Sequence, residues 1–157
     1  MQKYKELENK GLTVIIPTYI PKDYLWDCLA SIEKQSLDKD KFQVIIVLNG
    51  EKEPYWSKRE EHLKSYTFNS TLLYSKAKGV SQARNIGIEA VKSRYITFID
   101  DDDWISSCYL EEMLAQAEND AIVETYAKSV DERKKEEKEH FLGIAFKNSQ
   151  KHKKHNI

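Results

Sequence analysis

The residues best placed to do chemistry are four consecutive carboxylates, Asp100 to Asp103, directly after the apolar run Tyr95-Ile-Thr-Phe-Ile99 and just before Trp104. Acidic side chains this close repel one another. A hard divalent cation with oxygen ligands, Mg²⁺ or Mn²⁺, relieves the repulsion and leaves positions open for phosphate oxygens. If the backbone stays extended beyond Ile99, alternate side chains point the same way and Asp100 and Asp102 converge. The competing reading is a solvated acidic turn capping the next helix. That is common for one or two aspartates and strained for four behind an apolar strand. Trp104 itself is expected in the core.

Other chemistries are excluded by absence. The chain has only five glycines, none in a GxGxxG or P-loop pattern, and carries neither GxSxG nor HExxH. Its two cysteines, Cys28 and Cys108, are far apart, so a disulfide framework and a cysteine zinc site are both out. They read as reduced thiols in a cytoplasmic protein. A net charge of −1 gives no pull toward nucleic acid. The N-terminal MQKYKELENKG is polar and unlike a signal peptide, and no apolar run approaches bilayer length, which leaves only peripheral membrane association open.

The elements that must position the carboxylates alternate in type. Thr13-Val-Ile-Ile-Pro17 and Val44-Ile-Ile-Val-Leu48 are unbroken apolar runs, as expected of strands buried on both faces. Thr71-Leu-Leu-Tyr74 and Tyr95 to Ile99 add two more, and Ala121-Ile-Val-Glu124 a short fifth. Between them Leu25, Cys28, Leu29 and Ile32 fall at i, i+3, i+4, i+7 of a helix. A weaker, Lys/Glu-rich helix spans about 54–66, with Trp56, Leu63 and Tyr66 as anchors. Another runs from Ser81 to Lys92 with Ala83, Ile86 and Ala90 on its apolar side, and a fourth covers 107–118 with Ser107 as N-cap. This alternation predicts a doubly wound, mainly parallel α/β sheet, one domain at 157 residues, with ligands at the C-terminal ends of the strands. Residues 1–10 form a polar extension and 11–125 the domain. Beyond 126 the charged DERKKEEKEH and KHKKHNI enclose apolar Phe141-Leu-Gly-Ile-Ala-Phe146. This tail reads as solvated, partly disordered chain or as the truncated start of another layer. His152 and His155 receive no role.

Four segments in order, Thr13-Val-Ile-Ile-Pro-Thr-Tyr19, Val44-Ile-Ile-Val-Leu-Asn-Gly50, Gly79-Val-Ser-Gln-Ala-Arg-Asn-Ile-Gly87 and Tyr95-Ile-Thr-Phe-Ile-Asp-Asp-Asp-Asp-Trp104, resemble the family 2 glycosyltransferases over about residues 11–125. The match is to the nucleotide-sugar-binding half of their GT-A fold. The resemblance implies an inverting sugar transfer from a nucleotide diphosphate sugar, with Mn²⁺ or Mg²⁺ as cofactor. It places the DxD metal site on Asp100 and Asp102 with Asp103 beside them, and Asp101 among the donor contacts. Pro17, Thr18 and Tyr19 match the loop beside the base, and Arg84 an arginine on the nucleotide. Gly87 reads as a packing residue between helix and sheet. Many members carry two acidic residues where this chain has Leu48 and Asn49. The Asn49 carbonyl can still accept a bond from the base, and a UDP-sugar is the favoured donor. The acceptor, a glycan or lipid-linked molecule of cell-surface polysaccharide synthesis, stays unspecified. So does the catalytic base, for which the final stretch offers no clear candidate. The expected behaviour is therefore weak donor binding with poor transfer. The alternative is a non-catalytic nucleotide-sugar-binding or assembly module. A nucleotidyltransferase would need a Gly-rich basic loop after the first strand, and an aspartyl phosphatase its DxD there; Pro17-Thr18-Tyr19 provides neither.

Overall fold

The computed structural model describes residues 11–117, 122–131 and 136–146. The chain alternates β1 (Leu12–Thr18), α1 (Tyr24–Glu33), β2 (Phe42–Asn49), α2 (Tyr55–Leu63), β3 (Asn69–Ser75), α3 (Val80–Ala90), β4 (Tyr95–Phe98) and α4 (Tyr109–Gln116), then β5 (Val123–Asp131) and β6 (Glu136–Phe146). The sheet order is β3-β2-β1-β4-β6-β5. The first four strands are parallel, and β6 joins β4 antiparallel, with Thr97 opposite Ile144.

The apolar runs explain the layering. Leu12, Val14 and Ile16 of β1 pack on one face with Leu25, Cys28, Leu29 and Ile32 of α1 and with Leu110 and Met113 of α4. Ile15 points the other way, joining Ile45, Val47 and Ala83 under α3. Strands β1 and β2 therefore need apolar residues at both parities, which is why neither alternates. Gly87 lets α3 reach the sheet: a Cβ there would lie 2.5 Å from Ile15 Cγ2. The packing role expected for Gly87 is the one it has.

Three expectations require correction. The fourth helix starts at Tyr109, and its N-cap is Cys108 with no side-chain capping bond, in place of Ser107. The Ser107 carbonyl instead accepts the Ser36 N–H at 2.7 Å, which draws Ser107 toward α1. Trp104 is 66% exposed. The tail beyond residue 126, expected as solvated chain or as the truncated start of another layer, carries most of two long strands, paired from Val123 opposite Ile144 to Asp131 opposite Glu136. Backbone pairing satisfies the main chain whatever the side-chain charge, and Phe141 to Phe146 supplies the apolar half of β6. The polar segment 1–10 and both C-terminal histidines lie outside the described residues. Among the described residues no helix is long and apolar enough to cross a membrane.

Candidate functional site

At the C-terminal edge of the parallel strands lies an open cleft of about 420 Å³. Four segments wall it: Pro17 and Tyr19 at the end of β1, Asn49 at the end of β2, Lys78, Gly79 and Val80 at the start of α3, and Asp100, Asp101 and Asp102 after β4.

The acidic segment is a turn. The Asp103 N–H donates to the Asp100 carbonyl at 3.1 Å. Asp100 to Asp102 thus come together by chain reversal, and not along an extended strand as the sequence suggested. Asp103 is not part of the cleft wall. Thr18 Oγ1 donates to Asp101 Oδ2 at 2.5 Å, and Arg84 Nη2 stands 2.6 Å from Asp100 Oδ1. Among the described residues no side-chain bond of this kind engages Asp102, which is exposed at the mouth. Partial burial raises the Asp101 carboxyl above the usual range, with Asp102 and Asp100 adding to the rise and Thr18 opposing it. Burial also raises Asp103, again helped by Asp102 and Asp100. Mutual repulsion is therefore a property of this turn, as inferred from its composition. Behind it Cys28 Sγ faces the Asp100 carbonyl at 3.7 Å, and burial pushes that thiol up to about 12.

Asn49 is buried and ties two walls together. Its Nδ2 donates to the Thr18 carbonyl at 2.9 Å, and its Oδ1 accepts the Gly79 N–H at 3.2 Å. The oxygen foreseen as a partner for a base is thus already one acceptor of the loop before α3, with a second lone pair left. Gly50 follows at φ +96°, and a Cβ there would fall 2.6 Å from the Tyr19 ring, so glycine is needed both for the turn and for the ring. Tyr19 is 41% exposed, and the Lys78 ammonium sits 5.4 Å above its ring centroid. The hydrogen bond to Tyr19 raises Lys78 above the ordinary lysine range. Sequence reading missed Lys78, and it placed Gly79 and Val80 in the third family-like segment without giving them a role. The Lys-Gly pair before the third helix was the available signal.

The donor set suits a hard cation of limited denticity. Among the described residues no group of three or more Asp, Glu, His or Cys side chains forms a cage. One or two carboxylates from the turn, completed by phosphate oxygens and water, match the way Mg²⁺ is usually held. Exposed Asp102 is free for that role, whereas Asp100 is paired with Arg84 and Asp101 with Thr18.

A parallel α/β sheet carrying an acidic turn at its C-terminal edge defines a GT-A-type fold, and solved structures agree. The structure of TarS from Staphylococcus aureus in complex with UDP-GlcNAc superposes with a TM-score of 0.60 at 24% identity, covering 67% of this chain and 30% of that one. The mannosyltransferase PcManGT from Pyrobaculum calidifontis, in complex with GDP-Man and Mn²⁺, gives 0.55 at 22% identity over 59% and 28%. By sequence, EpsH of Bacillus subtilis is 32% identical over 123 residues, 77% of this chain and 35% of that protein. The profile of glycosyl transferase family 2 matches residues 13–157, and the chain belongs to that family. It spans about a third of the length of EpsH.

Proposed function

We propose that this chain forms the nucleotide-sugar-binding part of an inverting glycosyltransferase that uses a UDP-sugar. The observation that carries the reading is the cleft in which Asp100 to Asp102 face Tyr19, Asn49 and Lys78 across the strand ends. Tyr19 and Pro17 offer a flat apolar wall for a base. Arg84 and Lys78 supply positive charge, and the turn supplies oxygen ligands. Asp100 and Asp102 are the DxD pair, with Asp103 beside them. A divalent cation, Mn²⁺ or Mg²⁺, would neutralise the charge that grows on the departing nucleoside diphosphate. The complexes of the relatives support this reading: TarS is solved with UDP-GlcNAc and PcManGT with GDP-Man and Mn²⁺. Residues 11–125 make the donor half, and the strands beyond open the acceptor half. The acceptor is a glycan or lipid-linked molecule of cell-surface polysaccharide, and its hydroxyl displaces the nucleoside diphosphate from the anomeric carbon while losing its proton to a base elsewhere.

The test is a thermal-shift panel of UDP-, GDP-, CDP- and dTDP-sugars with and without Mn²⁺. Ligand that binds only the folded chain raises the melting temperature, by about 2.7 kcal/mol of stability at a hundredfold excess over Kd. The largest rise is expected for a UDP-sugar with Mn²⁺. Asp102→Asn should abolish the metal-dependent part and leave the fold intact. A mutant that responds to UDP and Mn²⁺ as the parent does would sink the DxD assignment.

A further inference from the structure

An indole is normally among the more buried side chains, yet Trp104 is 66% exposed. Its segment is not loose. The residue before it closes the acidic turn, with Asp103 N–H on the Asp100 carbonyl. The residue after it donates its N–H to Ser31 Oγ at 3.2 Å and buries its own side chain in the core. Gln35 Nε2 then holds the Ser106 carbonyl at 2.6 Å, and the Ser36 N–H holds that of Ser107. Three residues at the end of α1 and just beyond it thus fasten the loop that presents the indole to solvent.

The indole borders a second groove, of about 290 Å³, with Asp27, Ala30, Ser31, Lys34 and Ser107 as its other main walls. One short segment therefore borders both depressions, the nucleotide cleft through Asp100 to Asp102 and this groove through Trp104. An aromatic plate edged by a carboxylate, an ammonium and hydroxyls suits a molecule with one flat C–H face and hydroxyls around its rim. Asp27 and the neighbouring acidic turn outnumber Lys34 and disfavour a polyanion.

We propose that the Trp104 groove binds a neutral pyranose ring, stacked on the indole with its hydroxyls toward Asp27 and Lys34. Given the donor site proposed above, this sugar is the acceptor. That last step rests on the donor reading; the binding itself does not.

The probes are methyl β-D-glucopyranoside and, as a charged polyol without a flat face, ribitol 5-phosphate. Each is titrated into the whole chain while the indole N–H signals of its three tryptophans are followed by NMR. The Trp104 signal is assigned by its loss in Trp104→Ala. The pyranoside should shift that signal saturably and leave those of Trp26 and Trp56 in place. Its affinity, read by saturation transfer, should fall about fivefold to tenfold in Trp104→Ala and only about twofold in Trp104→Phe, in line with the worth of aromatic stacking. Melting curves of both variants check that the loop is intact, and Trp104→Phe keeps the test valid if the alanine variant unfolds. The proposal is overturned if the pyranoside leaves Trp104 unmoved, if it moves all three indoles alike, or if ribitol phosphate moves Trp104 and the pyranoside does not. UDP with Mn²⁺ is titrated separately. Its failure to bind would remove the donor reading while a saturable pyranoside response would still establish the groove.

Discussion

Arg84 Nη2 lies 2.6 Å from Asp100 Oδ1, so the arginine we assign to the nucleotide is paired to the first carboxylate of the acidic turn. Its Nε is buried with no hydrogen-bond partner among the described residues. That Nε is closed to solvent and Nη2 is engaged by Asp100, so a ligand can be met only by the terminal nitrogens of the guanidinium. Lysine would retain the charge but not the planar fork. Arg84→Lys should weaken UDP binding about tenfold, the worth of roughly one hydrogen bond to a charged group. Calorimetric titration of UDP with Mn²⁺ checks this, and an unchanged Kd would make Arg84 a purely structural partner of Asp100.

Asn49 tests how the cleft walls are held. Asn49→Asp puts a carboxylate at this position and sets an oxygen against the Thr18 carbonyl where an amide N–H now donates. A buried, wrongly paired polar group costs about 1–3 kcal/mol. The new carboxyl would ionise less readily in the folded state than in the unfolded chain, so the loss should be largest near neutrality and shrink as pH falls. Urea melts at pH 7 and pH 5 measure both. Equal stability of mutant and parent at pH 7 would mean that the Asn49 bridge holds nothing.

Gly87→Ala sets two effects against each other. Alanine favours a helix over glycine by about 1 kcal/mol. The added Cβ would, however, sit 2.5 Å from Ile15 Cγ2 on a central strand that has no room to retreat, and overpacking of this kind costs about 1–3 kcal/mol. A net fall in melting temperature is expected, and a rise would show that α3 can lift from the sheet at little cost.

Burial pushes the Cys28 thiol up to about 12, so it stays protonated and unreactive in the folded chain. Iodoacetamide at pH 8 should add once to the native protein, at Cys108, and twice after denaturation, as read by mass. The same shift makes the folded state hold its thiol proton more tightly than the unfolded chain. Its contribution is intact below the ordinary thiol range and is lost as pH climbs from there toward 12. Rapid double labelling of native protein would contradict the packing of α1 on β1.

Much of this was legible in the residues, and the reasons are local. The run from Thr13 to Pro17 and the spacing of Leu25, Cys28, Leu29 and Ile32 announce a two-sided strand and the helix that covers it, because both faces must be filled whatever lies beyond. The acidic turn was visible for the same reason: four carboxylates after an apolar strand have few places to go. The bridge made by Asn49 was not visible, since it links backbone atoms of Thr18 and Gly79 that are distant in sequence. Lys78 looked like one surface lysine among many until the loop brought it over Tyr19. Trp104 was misjudged because residue type predicts burial only on average, and its outward pose depends on Ser31 and Gln35. Only the start of β5 was legible, as the short strand expected at 121–124; its run to Asp131 and its partner β6 were hidden by charge, which reports on solvent exposure and says little about backbone pairing.

The cleft draws its walls from residues near positions 17, 49, 79 and 101, one from the end of each parallel strand. No fragment shorter than the whole run of four strands contains it, so a nucleotide has nothing to hold in a partly opened chain. Occupancy would then tax every opening that parts those strands, including fluctuations far from the ligand. Amides of β3, at the edge of the parallel strands, should exchange with solvent more slowly when the cleft is filled, although most of them never touch the guest. For this molecule deuterium uptake along an edge strand would serve as a remote gauge of what the strand tips are holding.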